Sequence, residues 1–218
     1  MNTAGPARDD IVDAALLIAE RIGWEAVRLR QVAAQLDITL DDIRLHFREK
    51  EELVDAWFDR ADAAMLQTTT LAGFAQQPSR LRLQQLMMAW FAALAPHRRV
   101  TREMILGKLE PGHLHVQVPG LLRVSRTVQW LREAAGRDAT FVRRALEETA
   151  LTTIYLASFA HWLNDESANA ERTRRFVERR LSEAERLDHL VFRGASPPQS
   201  DEAPTRSPRA DETPRQGA

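Results

Sequence analysis

The chain has 218 residues, 44% of them hydrophobic, with a formal net charge of −1 and no cysteine. That length and apolar content support a packed core and exclude global disorder. The lack of cysteine excludes disulfides, thiolate metal sites and cysteine nucleophiles, and near neutrality means that any contact with DNA must come from a local patch.

No basic region followed by an apolar run opens the chain, and no apolar stretch approaches the roughly 18 residues that span a bilayer. A cytoplasmic location is expected.

The spacing predicts helices almost throughout. Ile11, Ala15, Ile18, Ala19 and Ile22 recur at three- and four-residue steps, with Gly23 as a stop. Short helices are predicted over Leu29 to Leu36 and Leu40 to Phe47. A longer one starts near Lys50 and carries Leu53, Trp57, Ala61, Ala64 and Met65 on one face. Ser79 to Ala95 bears a broad stripe of Leu83, Leu86, Met87, Trp90, Phe91 and Leu94, ended by Pro96. Val100 to Leu109 is predicted as a short helix.

The stretch EPGHLHVQVPG, with its two Pro-Gly pairs, is predicted as a loop. Leu121 to Ala135 follows, stopped by Gly136 at a C′ position. Asp138 is expected to cap a helix reaching Trp162 or Leu163. Ser167 or Asn169 opens the last, with Phe176, Val177, Leu181, Ala184 and Leu187 at helical spacing. From Gly194 the chain is rich in proline and mixed charge, the composition of a disordered tail.

A helix followed by two short helices joined by a tight turn is the helix-turn-helix plan. Residues 8 to 65, with DAALLIAERIGW and then VAAQLDITLDDIRLHFREKEEL, resemble the N-terminal domain of TetR-family regulators without a gap. Val32-Ala33, Ile38, Ile43, His46, Phe47, Lys50 and Leu53 stand at that family's pattern positions. The physical reading agrees. Ala33 is small where two helices cross, and Val32, Leu36, Ile38, Ile43 and Phe47 can form one small core. Lys50 opens a helix, where an ammonium beside the N-terminal amides suits a phosphate.

The departures from the family concern charge. Asp37 replaces the usual turn glycine, and aspartate tolerates a positive φ better than most residues. The reading helix opens with Leu40, Asp41 and Asp42, and Arg44 replaces the tyrosine that touches backbone phosphate. Glu25 to Leu53 holds five basic residues against seven acidic ones, a net of −2.

Two readings follow. In one, the aspartates favour the helix N-terminus and one accepts from a cytosine amino group, while Arg28, Arg30, Arg44, Arg48 and Lys50 hold phosphates. In the other, the acidic pair repels the duplex and the module is a structural cap. On the first reading the DNA-facing set is Arg28, Arg30, Thr39, Leu40, Asp41, Asp42, Arg44, His46 and Lys50.

The TetR resemblance further implies a ligand pocket in the remaining helices and a homodimer through the last two long ones, packed as a four-helix bundle. Met87, Trp90, Phe91, Met104, Leu106, Leu122 and Trp130 are the expected lining of an apolar effector pocket; a filled core is the alternative. The C-terminal half also resembles the TetR-fold accessory proteins of ubiquinone biosynthesis. Thr153, Tyr155, Trp162, Asp165, Ser167, Thr173, Phe176 and Arg180 carry that likeness, over roughly 50 residues. It implies an isoprenoid-binding protein that does not read DNA, and LDHLVF is short for that family's membrane-docking helix.

No glycine-rich phosphate loop, HExxH or nucleophile elbow is present, so no enzyme is expected. His113 and His115 beside Glu110 lack the further ligands a metal site needs, so neither metal nor cofactor is expected. The expected organisation is all-α. It comprises a three-helix helix-turn-helix domain over 8–54, a ligand-binding and dimerisation bundle over 55–193, and a tail over 194–218.

Overall fold

The structure, a computed structural model, describes residues 7–108, 114–137 and 141–193. The expected tail, the Asp138 cap and the Glu110/His113 pair lie outside the described residues, as does the side chain of His115. Among the described residues all regular structure is helical: α1 (Arg8–Ile22), α2 (Leu29–Leu36), α3 (Leu40–Arg44), α4 (Lys50–Gln67), α5 (Ser79–Leu94), α6 (Arg98–Lys108), α7 (Leu114–Ala134), α8 (Phe141–Leu163) and α9 (Glu171–Arg193), with single 3₁₀ turns after α4, after α5 and before α9.

The head is α1 to α3 packed on the start of α4. Ile11, Ala15, Ile18 and Ala19 are buried as their spacing predicts, with Val32, Ala33, Ile43, Phe47 and Leu53 completing the small core. Ile22 departs from this pattern and is exposed on the last turn of α1. Asp37 closes α2 in the left-handed region, at φ 54° and ψ 47°, where an aspartate can stand in for glycine. The third helix is shorter than its pattern predicts. Regular winding stops at Arg44, and Leu45 to Phe47 continue as a tighter turn in which the Phe47 amide still donates to the Ile43 carbonyl at 2.8 Å.

The bundle is built around α5, which touches α4, α7, α8 and α9. Its predicted stripe is buried throughout. Trp90 is at the centre, stacked on Phe58 of α4 and edge-on to Phe91, Tyr155 and Phe159. Pro96 ends α5 as expected, but the chain makes only one 3₁₀ turn before α6 begins.

The largest correction concerns the predicted loop, because α7 already begins at Leu114 and runs through Pro119 and Gly120. Pro119 sits beyond the first turn and forfeits one backbone hydrogen bond. A proline at such a place costs a helix about 3 kcal/mol, which is why the local sequence reads as a loop. Gly136 ends this helix at φ 63°, the C′ conformation its position predicts.

Between α8 and α9 the turn is organised by one buried carboxylate. Asp165 accepts from the amide and hydroxyl of Ser167 (2.8 and 2.6 Å) and from those of Thr173 (2.8 and 2.6 Å). Its own carbonyl accepts from Arg98, whose guanidinium lies 4.7 Å from the Trp162 ring centroid. Burial alone would raise the Asp165 pKa, but the four hydrogen bonds outweigh it and hold the carboxyl well below the usual carboxylate range.

A group depressed in this way stabilises the fold above its unfolded pKa, near 3.9, and the contribution is lost as pH falls through the folded value. Replacing Asp165 by alanine is expected to cost about 3 kcal/mol at neutral pH, since two buried donors lose their partners. Urea unfolding at pH 7 checks this, and a loss below about 1 kcal/mol would count against the carboxylate as the organiser of the turn.

Candidate nucleic-acid interface

The helix-turn-helix surface is set by three local devices. Thr39 caps α3: its hydroxyl oxygen accepts from the Asp42 amide at 3.2 Å, and the Asp42 carboxylate accepts from the Thr39 amide (2.8 Å) and hydroxyl (2.7 Å). These bonds, the hydroxyl first, lower the Asp42 pKa. Asp42 is therefore a reciprocal cap, with its charge turned back onto the helix start. Asp41 is paired to Arg44 at 2.8 Å on the exposed surface, so the two aspartates that look repulsive in sequence are both engaged within α3.

Lys50 is the third device. Its ammonium donates to the Trp24 carbonyl at 2.7 Å and lies 4.8 Å from the centre of the Trp24 ring. Burial is the main cause of its lowered pKa, partly offset by Glu25. Lys50 thus locks α4 onto the chain between α1 and α2, a structural task that its place at a helix start does not reveal.

Arg28, Arg30, Thr39, Leu40, Asp41, Arg44 and His46 are all exposed, and Asp42 and Lys50 are half-buried. Arg28 is held near the turn by its guanidinium, which donates to the Glu25 carbonyl at 2.6 Å. Leu45, absent from the sequence-derived set, is strongly exposed beside Arg44. Arg8 is another basic residue that periodicity passes over. It lies 5.0 Å from the Phe47 ring centroid, a cation–π contact visible only once the start of α1 meets the turn that follows α3.

The head is fastened to the bundle near the C-terminal end of α1, besides the contacts of Arg60 on α4 with Asp9 and Asp13 near the start of α1. Glu103 of α6 accepts from the Trp24 amide at 2.7 Å. Arg99 bridges Glu103 and Glu20, and also donates to the Glu20 carbonyl at 2.5 Å. His97 reaches Glu20 at 3.1 Å. The C-terminal turn of α1 is therefore clamped to the start of α6, and α4 provides a second, continuous link.

The sequence-derived pocket residues are divided. Met87, Trp90, Phe91 and Met104 are buried as core. Leu106 and Trp130 are 54% and 46% exposed. Each sits two residues beyond a buried position (Met104, Val128), about 200° around its helix. Leu122 falls within α7, but its side chain lies outside the described residues.

At the centre of the bundle Asp62 accepts from Trp90 Nε1 (2.8 Å), Thr127 Oγ1 (3.0 Å) and Arg123 Nη2 (3.1 Å). The Tyr155 hydroxyl beside Thr127 is pushed far up in pKa, by burial first and the Asp62 charge second. An open cavity of about 290 Å³ lies instead at the end of the bundle away from the head, between α5, α7, α8 and α9. Among the described residues no three side chains form a metal-ligating group, and no helix is long and apolar enough to cross a membrane.

This arrangement defines a helix-turn-helix regulator with an α-helical C-terminal bundle. A TetR transcriptional regulator from Nitrosomonas europaea is 52% identical, with the match covering 84% of this chain and 99% of that one at a TM-score of 0.75. The chain belongs to the TetR family of transcriptional regulators. A TetR transcriptional regulator from Rhodococcus sp. RHA1 shares the fold at 18% identity, covering 87% and 98% of the two chains at a TM-score of 0.61. The COQ9 family matches residues 138–188, in line with the second resemblance of the C-terminal half. No curated protein matches the chain.

Proposed function

We propose that this protein is a homodimeric, DNA-binding regulator of the cytoplasm whose operator affinity is set by an apolar effector held in the bundle. The head spans 8–54 and the effector and dimerisation unit 55–193. The observation that carries the reading is the internal engagement of both reading-helix aspartates. With Asp42 committed to the Thr39 cap and Asp41 to Arg44, the outer surface keeps Arg28, Arg30, Arg44 and His46 exposed to a duplex. Arginine contacts to phosphate give affinity and register, and the exposed Leu40 and Leu45 suit the thymine methyl group in a major groove. Two heads across a twofold axis would meet successive grooves roughly 34 Å apart. An effector that shifts α6 or α4 changes that separation through the Glu20–Arg99–Glu103 clamp.

A gel shift against the protein's own upstream region tests the reading. Arg28→Ala, Arg30→Ala and Arg44→Ala should each weaken retardation and lower the salt slope by about 0.9. Asp41→Asn should do the opposite, tightening binding by roughly fivefold at most, the scale of an exposed ion pair. No retardation even at low salt, where backbone contacts are strongest, overturns the proposal.

The COQ9 match favours a second reading, a lipid-binding accessory protein that leaves DNA alone. Asp165, Ser167 and Thr173, which carry part of that likeness, make the α8–α9 turn and therefore serve the fold in either case. Isoprenoid found by mass spectrometry in the purified protein, together with no DNA retardation, selects this second reading.

A further inference from the structure

We infer that the cavity at the far end of the bundle binds a single-chain amphiphile with one carboxylate head, a medium-chain fatty acid in chemical class, with Arg132 as the residue that recognises the head. The inference rests on the regulator reading for its regulatory meaning, with the bound molecule as effector. Leu83, Leu146, Leu151, Ile154, Leu181 and Ala184 form apolar walls around about 290 Å³. Arg132, on α7, forms part of the same wall and is only 3% exposed.

Its Nε has no hydrogen-bond partner, and its ion-pair partner, Glu148, stands 3.8 Å away, beyond hydrogen-bond distance. A guanidinium stays charged in a protein, and burial of that charge is costly unless it is both paired and hydrogen-bonded. The cations at the cavity rim are not in this condition. Arg80 is paired with Glu185 at 3.2 Å and Arg137 with Glu147 at 2.9 Å, while Asp188 is taken by Arg143 at 2.7 Å.

Arg132 therefore borders an apolar space with one donor of its guanidinium unpartnered, and the planar fork matches a carboxylate in shape. Glu147, Glu185 and Asp188 ring the same cavity, so a doubly charged phosphate head meets more repulsion than a monoanion. The acyl chain then removes the leucine walls from water.

Calorimetric titration of the full chain, without DNA, with decanoate, decanol and decyl phosphate tests the site. Decanoate should bind about tenfold or more tightly than decanol, the scale of hydrogen bonds to a charged group, and more tightly than decyl phosphate. Arg132→Met, which keeps an apolar stem and removes the charge, should bring decanoate down to the affinity of decanol. Ala150→Trp, filling the cavity with Arg132 intact, should abolish binding of both and serves if the methionine variant fails to fold.

No heat from decanoate, equal affinity for decanoate and decanol, preference for decyl phosphate, or binding untouched by Ala150→Trp overturns the inference. Because the titration contains no operator, a protein that fails to retard DNA loses the regulator reading while the site is still decided on its own heats.

Discussion

Replacing Asp62 by alanine is expected to destabilise the protein by about 3–5 kcal/mol, the usual cost of removing one partner from a buried charge pair. Its carboxylate is the meeting point of α4, α5 and α7. It accepts from Trp90, Thr127 and Arg123, and Arg123 also spans to Asp59 at 2.6 Å and to the Asp55 carbonyl at 2.9 Å. Alanine leaves the indole N–H of a buried tryptophan and a largely buried guanidinium without this acceptor. For a chain of this size the melting temperature should fall by roughly 6–20 °C.

Asp62→Asn keeps the shape and one acceptor, so it should cost less than the alanine variant. Burial is the main cause that raises the Asp62 pKa, against the opposing pulls of Arg123, Trp90 and Thr127. The folded chain then holds this proton more tightly than the unfolded chain does. As pH falls from above the folded pKa toward the ordinary value near 3.9, this one group adds stability. The asparagine variant loses that increment, so its deficit against wild type should widen with acidification. Thermal unfolding across pH 4–7 reads both effects, and an alanine variant within about 1 kcal/mol of wild type would show the network to be dispensable.

The same residue shows what sequence reading can and cannot reach. The apolar stripe of α5 and the small core of the head follow from periodicity, because period 3.6 alone decides which side chains face inward. Asp62 sits on the buried face of α4 between Phe58 and Met65, yet a charged residue in a helical pattern reads as solvent-facing until its partners on α5 and α7 are known.

Lys50 and Asp42 are hidden for a related reason. Each is legible as a helix-start residue, but whether its charge turns outward to phosphate or inward to Trp24 and Thr39 depends on a neighbour's position. Leu106 and Trp130 suit a pocket by residue type, while their phase relative to Met104 and Val128 already places them outside. The start of α7 is hidden by Pro119 and Gly120, whose local preference for a turn outweighs any apolar period in so short a stretch. The C-terminal likeness is legible because it rests on a turn motif. Asp165, Ser167 and Thr173 are close in sequence, so their hydrogen bonds are local and leave a readable spacing.

Leu156→Glu is expected to split the proposed dimer and, with it, to lower operator affinity by about 100-fold or more, the loss that follows when two linked heads become independent. Leu156 is 42% exposed on α8, in a row with the exposed Thr149, Thr153 and Ala160. Ala157 is exposed beside them, and no charged residue occurs between Glu148 and His161. A surface strip of that composition on a long helix is costly to leave in water, and its small side chains let a second helix approach closely. The outer face of α9 is unlike it, with Arg175, Glu178, Arg179 and Arg186 exposed together.

In a twofold interface every substitution enters twice. Two glutamates would then face each other across an apolar contact, and each would be desolvated without a partner. The isolated protomer should keep its melting behaviour in dilute solution, because Leu156 adds little to the protomer core, whose α8 face is Leu151, Ile154, Tyr155, Phe159 and Trp162. Light scattering on the eluting peak gives the mass directly. A Leu156→Glu variant that still runs at twice the protomer mass would place the interface elsewhere, whereas a protomer that still retards the operator undiminished would show that each head reads DNA without its twin.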